Sequence, residues 1–290
     1  MIERLLYQVV ELPSKNVDTG ELKLLSSSLS DFVRAFEVFG EHRGRKKLSI
    51  FGSARSKSDT PIYAHAKAFA AEAVARGYMV ITGAGRGFCA GADIGAMFKK
   101  QLDDDGPRRP STAANWVKAV RAAKPMIAAV NGACIGVGLT QILSCDYIMA
   151  SEKAKFSCAF VKMGVVTELA SSHYLVQRMG WGNASEVALT ARMIPGEEAV
   201  QLGLADRLVA HDNLVDEAVA LAEMMAQNPS RQMRMIKQLF TQNGSDEDLD
   251  AVLARETEAL ELAYQTPEHK EAVNAFLEKR KPDFRKAAEQ

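Results

Sequence analysis

Apolar positions recur at three- and four-residue steps near the front of the chain. Leu22, Leu25, Leu29, Phe32, Val33 and Phe36 share this spacing, which predicts a helix with one packed face. The basic stretch 42–47 then reads as a solvated linker. A short apolar run at 48–51 predicts a strand, followed by the Gly52-Ser53 turn. Thr60 suits an N-cap, Pro61 the first helical position and Gly77 the stop. Between them Ile62, Ala66, Phe69, Ala70, Ala73 and Val74 form one face, and 78–82 is a second strand. Strand, helix, strand makes a βαβ unit with a parallel pair. Farther on, 113–123 reads as a helix, 126–130 as a fully buried strand, 137–144 as a helix and 147–150 as a strand. Helical patterns follow at 169–179, 184–190, 196–202, 214–227, 231–241, 249–264 and 268–280. Early strands and a helical tail predict an α/β fold: a front helical segment and linker (1–47), an α/β core (48–210) and a C-terminal helical region (211–290).

Charge narrows the function. Lys+Arg and Asp+Glu number 36 each, so the 290-residue chain carries no net charge. Nucleic-acid binding and anchoring to anionic membranes both call for a basic excess that is not there. The first residues show no signal-peptide h-region, and the apolar runs are too short to span a bilayer, so a cytoplasmic location is expected. Cys89, Cys134, Cys145 and Cys158 form no CxxC pair and have no zinc-type histidine spacing. Reduced, mostly buried thiols are expected, with no metal or redox cofactor.

Two glycine-rich segments carry candidate chemistry. Residues 83–94 follow a strand, and 131–140 follow a buried strand and open a helix. Small residues let the backbone turn sharply and present N–H groups, and a helix start adds unpaired donors. Two such sites aimed at one point would make an oxyanion hole. The run GRGFCAGADI, then KPMIAAVNGACIGVGL, DYIMASEKAKF, GLADRLV and the terminal FLEKRKPDF resembles the crotonase (enoyl-CoA hydratase/isomerase) superfamily in order and spacing over about residues 81–290. The resemblance implies a spiral of ββα turns capped by C-terminal helices, an acyl-CoA substrate and assembly as a homotrimer or hexamer.

Carried over position by position, the resemblance makes the backbone N–H groups of Ala92 and Val137 the oxyanion donors. Ala90, Gly91, Asp93, Ile94 and Gly136 would line the substrate around them. The family's hydratases use two glutamates; the matching positions here are Thr140 and Phe160. A carboxylate stands instead at Glu168, a position similar to the single catalytic acid of the family's Δ3,Δ2-enoyl-CoA isomerases. One base that takes a proton from C2 and returns it at C4 suffices to move a double bond, so isomerase is favoured over hydratase. Read from the residues alone, Glu168 is an ordinary acidic residue favoured in a first helical turn by the dipole; the resemblance is what makes it a catalytic candidate. Ser171, His173 and Asp93 could be imagined as a triad, but no nucleophile-elbow context surrounds them. Similar tails in the family meet CoA phosphates, which makes Lys279 in Lys279-Arg280-Lys281 a further candidate.

The front of the chain departs from this pattern. IFGSARSKSDTPIYAHAKAFAAEAVARGYMVITGAG resembles the Rossmann-like nucleotide-binding family of lonely-guy-type phosphoribohydrolases, also described as lysine decarboxylase-like. The two resemblances meet at 81–85, which implies a chimera with a Rossmann-like βαβ piece at 48–85. That family's later Pro-Gly-Gly-x-Gly-Thr loop is absent. A nucleotide-binding module and a catalytically inactive hybrid are therefore the alternatives to an acyl-CoA enzyme.

Overall fold

The computed structural model describes residues 51–52, 79–91 and 113–289. The front helix, the linker and the helix between the first two strands lie outside these residues, as do Ala92, Asp93 and Ile94. Nine strands fall in two sheets among the described residues. The first sheet holds β1 (Phe51–Gly52), β2 (Met79–Ala84), β4 (Met126–Val130), β6 (Tyr147–Ser151) and β9 (Arg207–Val209), in that spatial order and all parallel. The second holds β3 (Gly87–Cys89), β5 (Ala133–Ile135), β7 (Lys155–Ser157) and β8 (Ile194–Pro195); only β7 and β8 run antiparallel. The chain thus lays a strand in one sheet, turns a corner and lays a short strand in the other. It does so three times in succession: β2 to β3, β4 to β5 and β6 to β7.

The parallel pair expected at the front is formed, with Phe51 opposite Gly83. β4 is buried at all five positions, as a strand covered on both faces must be. Alternation along it separates two cores. Met126, Ala128 and Val130 face Phe88, Cys134, Leu139, Phe156 and Leu175. Ile127 and Ala129 face Val209, Leu214, Ala218 and Ala222.

The helices are α1 (Ala113–Ala122), α2 (Val137–Ile142), α3 (Ser171–Thr190), α4 (Gly196–Gln201), α5 (Leu214–Ala226), α6 (Ser230–Asn243), α7 (Leu249–Tyr264), α8 (Pro267–Leu277) and α9 (Phe284–Ala287). α5 supplies Leu214, Ala218 and Ala222 to the second core. α3 joins the two helices expected at 169–179 and 184–190, and its backbone breaks from helical geometry at Gly180 (φ 71, ψ 168).

Two aspartates repeat one device. Asp146, just before β6, donates its N–H to the Met126 carbonyl (2.9 Å) and accepts the Met126 N–H (2.7 Å), bracketing the start of β4. Asp206, just before β9, does the same to Ile148 of β6, at 2.8 and 2.7 Å. Each is held by an arginine on a preceding helix: Arg121 at 3.0 Å from Asp146 and Arg178 at 3.2 Å from Asp206. Those arginines also bond backbone carbonyls at Ser144, Leu143 and Cys145. Asp146 carries a second cation, the buried Lys237 of α6, whose Nζ lies 2.6 Å away and also bonds the Lys124 carbonyl.

Candidate active site

The site grows from the corners between the sheets. Asn131 fills the corner after β4. Its amide donates to Gly85 O (2.8 Å), and its carbonyl accepts from Gly83 N–H (3.2 Å), so it fastens the neighbouring corner after β2. This clamping role depends on the two corners stacking.

The stacking brings the two glycine-rich segments together. A Cβ on Gly138 would sit 2.4 Å from the Cys89 carbonyl oxygen, so no other residue fits while the strand end stays in place. Gly91 adopts φ +97, and a Cβ there would lie 3.1 Å from the Ile135 carbonyl. Residues 89–91 therefore run against 135–138. Ala90 is exposed on this strip, and Gly136, also at positive φ, forms the corner into α2.

The backbone donors at that corner are unequal. Gly136 N–H is used by Ser157 O (3.0 Å), and the N–H groups of Leu139 and Thr140 both reach Gly136 O. Val137 holds the first helical position, where no acceptor exists within the helix. Among the described residues its N–H has no hydrogen-bond partner. Ala92, its proposed counterpart, lies outside them, as do Asp93 and Ile94.

The positions that would carry hydratase carboxylates are occupied otherwise. Thr140 is buried, and its hydroxyl donates back to the Val137 carbonyl at 3.3 Å. Phe160 packs on the inter-sheet core, and its carbonyl ties a tight turn by accepting from Met163 N–H (2.9 Å) and Val165 N–H (3.2 Å). Glu168 ends this loop, half-buried, with its carbonyl accepting from Ser171 N–H at 3.0 Å. Leu169 and Ala170 follow in the left-handed region, φ 56 and 55, before α3 begins. Two consecutive non-glycine residues there are unusual, and nothing in their sequence announced it.

Other candidates separate from this cluster. Ser171 Oγ is buried and has no hydrogen-bond partner among the described residues, while His173 Nε2 lies 3.5 Å from Ser245 Oγ and its ring meets Tyr174 edge-on. Ser171 and His173 are thus not paired. Lys279 is exposed at φ 54 just after α8. Its N–H bonds Phe276 O and that of Arg280 bonds Ala275 O, which closes the helix in a Schellman arrangement. All four cysteines are free. Burial pushes the Cys145 thiol up to about 12 and Cys158 to about 11, and raises Cys134 as well, so these three are poor nucleophiles. No cluster of metal-ligating side chains occurs among the described residues, and none of their helices is long and apolar enough to cross a membrane.

The comparisons with known proteins agree with this geometry. The family described as Enoyl-CoA hydratase/isomerase matches residues 68–287. The match starts ahead of the boundary expected near 81, inside the stretch read as Rossmann-like. The chain is 33% identical over 207 residues to the 2,3-dehydroadipyl-CoA hydratase of Escherichia coli K12, covering 71% of this chain and 80% of that one. It is 33% identical over 213 residues to the 1,2-epoxyphenylacetyl-CoA isomerase of the same organism, with coverage of 71% and 80%. A solved enoyl-CoA hydratase subunit of Geobacillus kaustophilus superposes with a TM-score of 0.65 at 33% identity, covering 82% of this chain and 94% of that one. The stacked corners, the alternating sheets and these matches together make the chain a member of the enoyl-CoA hydratase/isomerase family, and an enzyme of that type.

Proposed function

We propose that the chain is a Δ3,Δ2-enoyl-CoA isomerase that works through one carboxylate, Glu168. The substrate's thioester oxygen would sit between the N–H groups of Ala92 and Val137, with Ala90, Gly91, Asp93, Ile94 and Gly136 around it. Glu168 removes a proton from C2. The electron pair moves onto the thioester oxygen as a dienolate, and the same carboxylic acid returns the proton to C4, so the double bond ends between C2 and C3. Each oxyanion donor is worth about 3 kcal/mol in such chemistry.

The observation that carries this reading is the fate of the two hydratase positions. The Thr140 hydroxyl is buried against its own helix and Phe160 is a half-buried aromatic packed on the core, so neither supplies a carboxylate to activate a water. The Val137 N–H, without a partner among the described residues, and the fixed backbone after Glu168 also support it. Hydration is the second reading, because the Escherichia coli relative quoted first is named a hydratase. No metal or redox cofactor is required, Lys279 would meet CoA phosphate, and the enzyme would assemble as a homotrimer or hexamer in the cytoplasm. The stretch 48–85 keeps its likeness to the nucleotide-binding family as a further proposal, a front piece joined to an acyl-CoA core. The inactive-hybrid alternative predicts no thermal shift with CoA.

The test is turnover of a 3-enoyl-CoA and, separately, of a 2-enoyl-CoA by purified protein. Conversion of the 3-enoyl substrate should fall about 10²–10⁴-fold in Glu168→Gln, the usual cost of losing a general base. Hydration of the 2-enoyl substrate, unaffected by that change, would instead establish the second reading.

A further inference from the structure

The loop joining β7 to α3 leaves an unexplained apolar surface. Val161, Met163, Val165 and Val166 are all exposed, Val166 at 86%. They are not loosely held. Three backbone hydrogen bonds fix the turn: Met163 N–H and Val165 N–H to Phe160 O, and Gly164 N–H to Val161 O. Gly164, at φ +67, reverses the chain between the two apolar pairs. A rigid turn that holds four apolar side chains in water is a cost that an occupant would relieve.

Resting on the isomerase reading above, we infer that this loop is the platform for the substrate's acyl chain and selects long, straight, uncharged chains over short ones. The occupant follows from continuity. Only Thr167 separates Val166 from Glu168, and a base that acts at C2 and C4 has the remainder of the acyl chain running past its immediate neighbours. The platform begins at Phe160, where a carboxylate would otherwise have brought water and charge. Apart from Glu168 itself, Lys162 is the one charged side chain on the loop, and it offers nothing to a methyl-ended chain.

The experiment compares kcat/KM for dodec-3-enoyl-CoA and hex-3-enoyl-CoA in the unsubstituted chain, in Val166→Ser and in Met163→Ser. Leu189→Ser, an exposed apolar residue at the far end of α3, is the control. The wild type should prefer the longer substrate. The long-to-short ratio should fall about fourfold or more in each loop variant, since one methylene left uncovered costs about that factor. It should not move in Leu189→Ser. An unchanged ratio in both loop variants would overturn the inference, as would a wild-type preference for hexenoyl-CoA or for a carboxylate-ended chain drawn by Lys162. Gel filtration of the same samples covers the rival occupant: a change of assembly state with no change of ratio would assign the patch to a second copy of the chain. The two readings fail separately. If Glu168→Gln keeps its activity while the loop variants still shift the ratio, the base is wrong and the platform stands.

Discussion

At the residue scale, the most informative positions are Leu169 and Ala170. Each sits where an L-residue loses roughly 1–2 kcal/mol to the close approach of Cβ and carbonyl oxygen. Glycine would relieve that strain but would leave Glu168 on a freer backbone. Replacing Ala170 with glycine should therefore raise stability by about 0.5–1 kcal/mol in a urea titration while lowering kcat on a 3-enoyl-CoA. A variant that gains stability and keeps full turnover would show that the strain does not serve the base. None of this was legible beforehand. Leu-Ala is an ordinary helical pair in sequence, and Glu168 itself was singled out through family likeness, because an acid near a helix start has a sufficient local explanation. The glycine corners were legible as turns. Their convergence was not, since it depends on residues 89–91 stacking on 135–138 across a gap of more than forty positions.

At the element scale, the repeated aspartate explains how consecutive turns of the fold are locked in register. Asp146 is the stronger case because it neutralises Lys237, which is 3% exposed and whose pKa is pushed down by burial and held up by that same carboxylate. Removing the carboxylate leaves a buried cation unpaired, so Asp146→Ala should cost about 3–5 kcal/mol. Lys237→Met, which removes the charge and keeps the volume, should cost far less, because Asp146 retains Arg121 and the Met126 N–H. The pH dependence has a definite sign. With Lys237 depressed in the folded state, the unfolded chain binds more protons, so the stability of Asp146→Ala should recover as pH rises toward the ordinary lysine value near 10.4. Equal losses in the two variants, read from chemical denaturation, would refute the latch. The long helices were readable because their apolar faces repeat over several turns, as in α5 and α6. The second sheet was not. β3, β5 and β7 have three residues each, too few for alternation to register, and the glycines beside β3 and β5 pointed to loops. The latch formed by Asp146 and Asp206 depends on arginines 25 and 28 positions away, so an aspartate directly before each strand does not announce it in the chain.

At the scale of the whole molecule, the C-terminal helices pose a question of solubility. Met224, Ile236, Phe240, Leu253, Leu260, Phe276 and Leu277 are all exposed, Phe240 at 71% and Phe276 at 82%. A groove of about 770 Å³ opens beside α6 and α7, lined by Met235, Ile236, Leu239, Phe240, Leu260 and Ala263. Contiguous apolar surface beyond a few hundred Å² marks a contact site on most soluble proteins. α6 is meanwhile pinned to the start of β6 by Lys237 and to α1 by the Arg121–Thr241 bond (2.9 Å), so it cannot roll its outer face inward. An aromatic such as Phe240 on an outward face, beside an apolar groove, has the character of an interface anchor. The trimeric or hexameric assembly proposed above would bury this surface. Light scattering on the purified enzyme should then give three or six times the chain mass. Phe240→Asp, which puts a carboxylate where a neighbour's apolar surface would press, should shift that mass toward a single chain. Its circular dichroism should stay unchanged, because the side chain is already in water. A wild-type protein that remains a single chain at micromolar concentration would refute the assembly and leave the groove in need of another occupant.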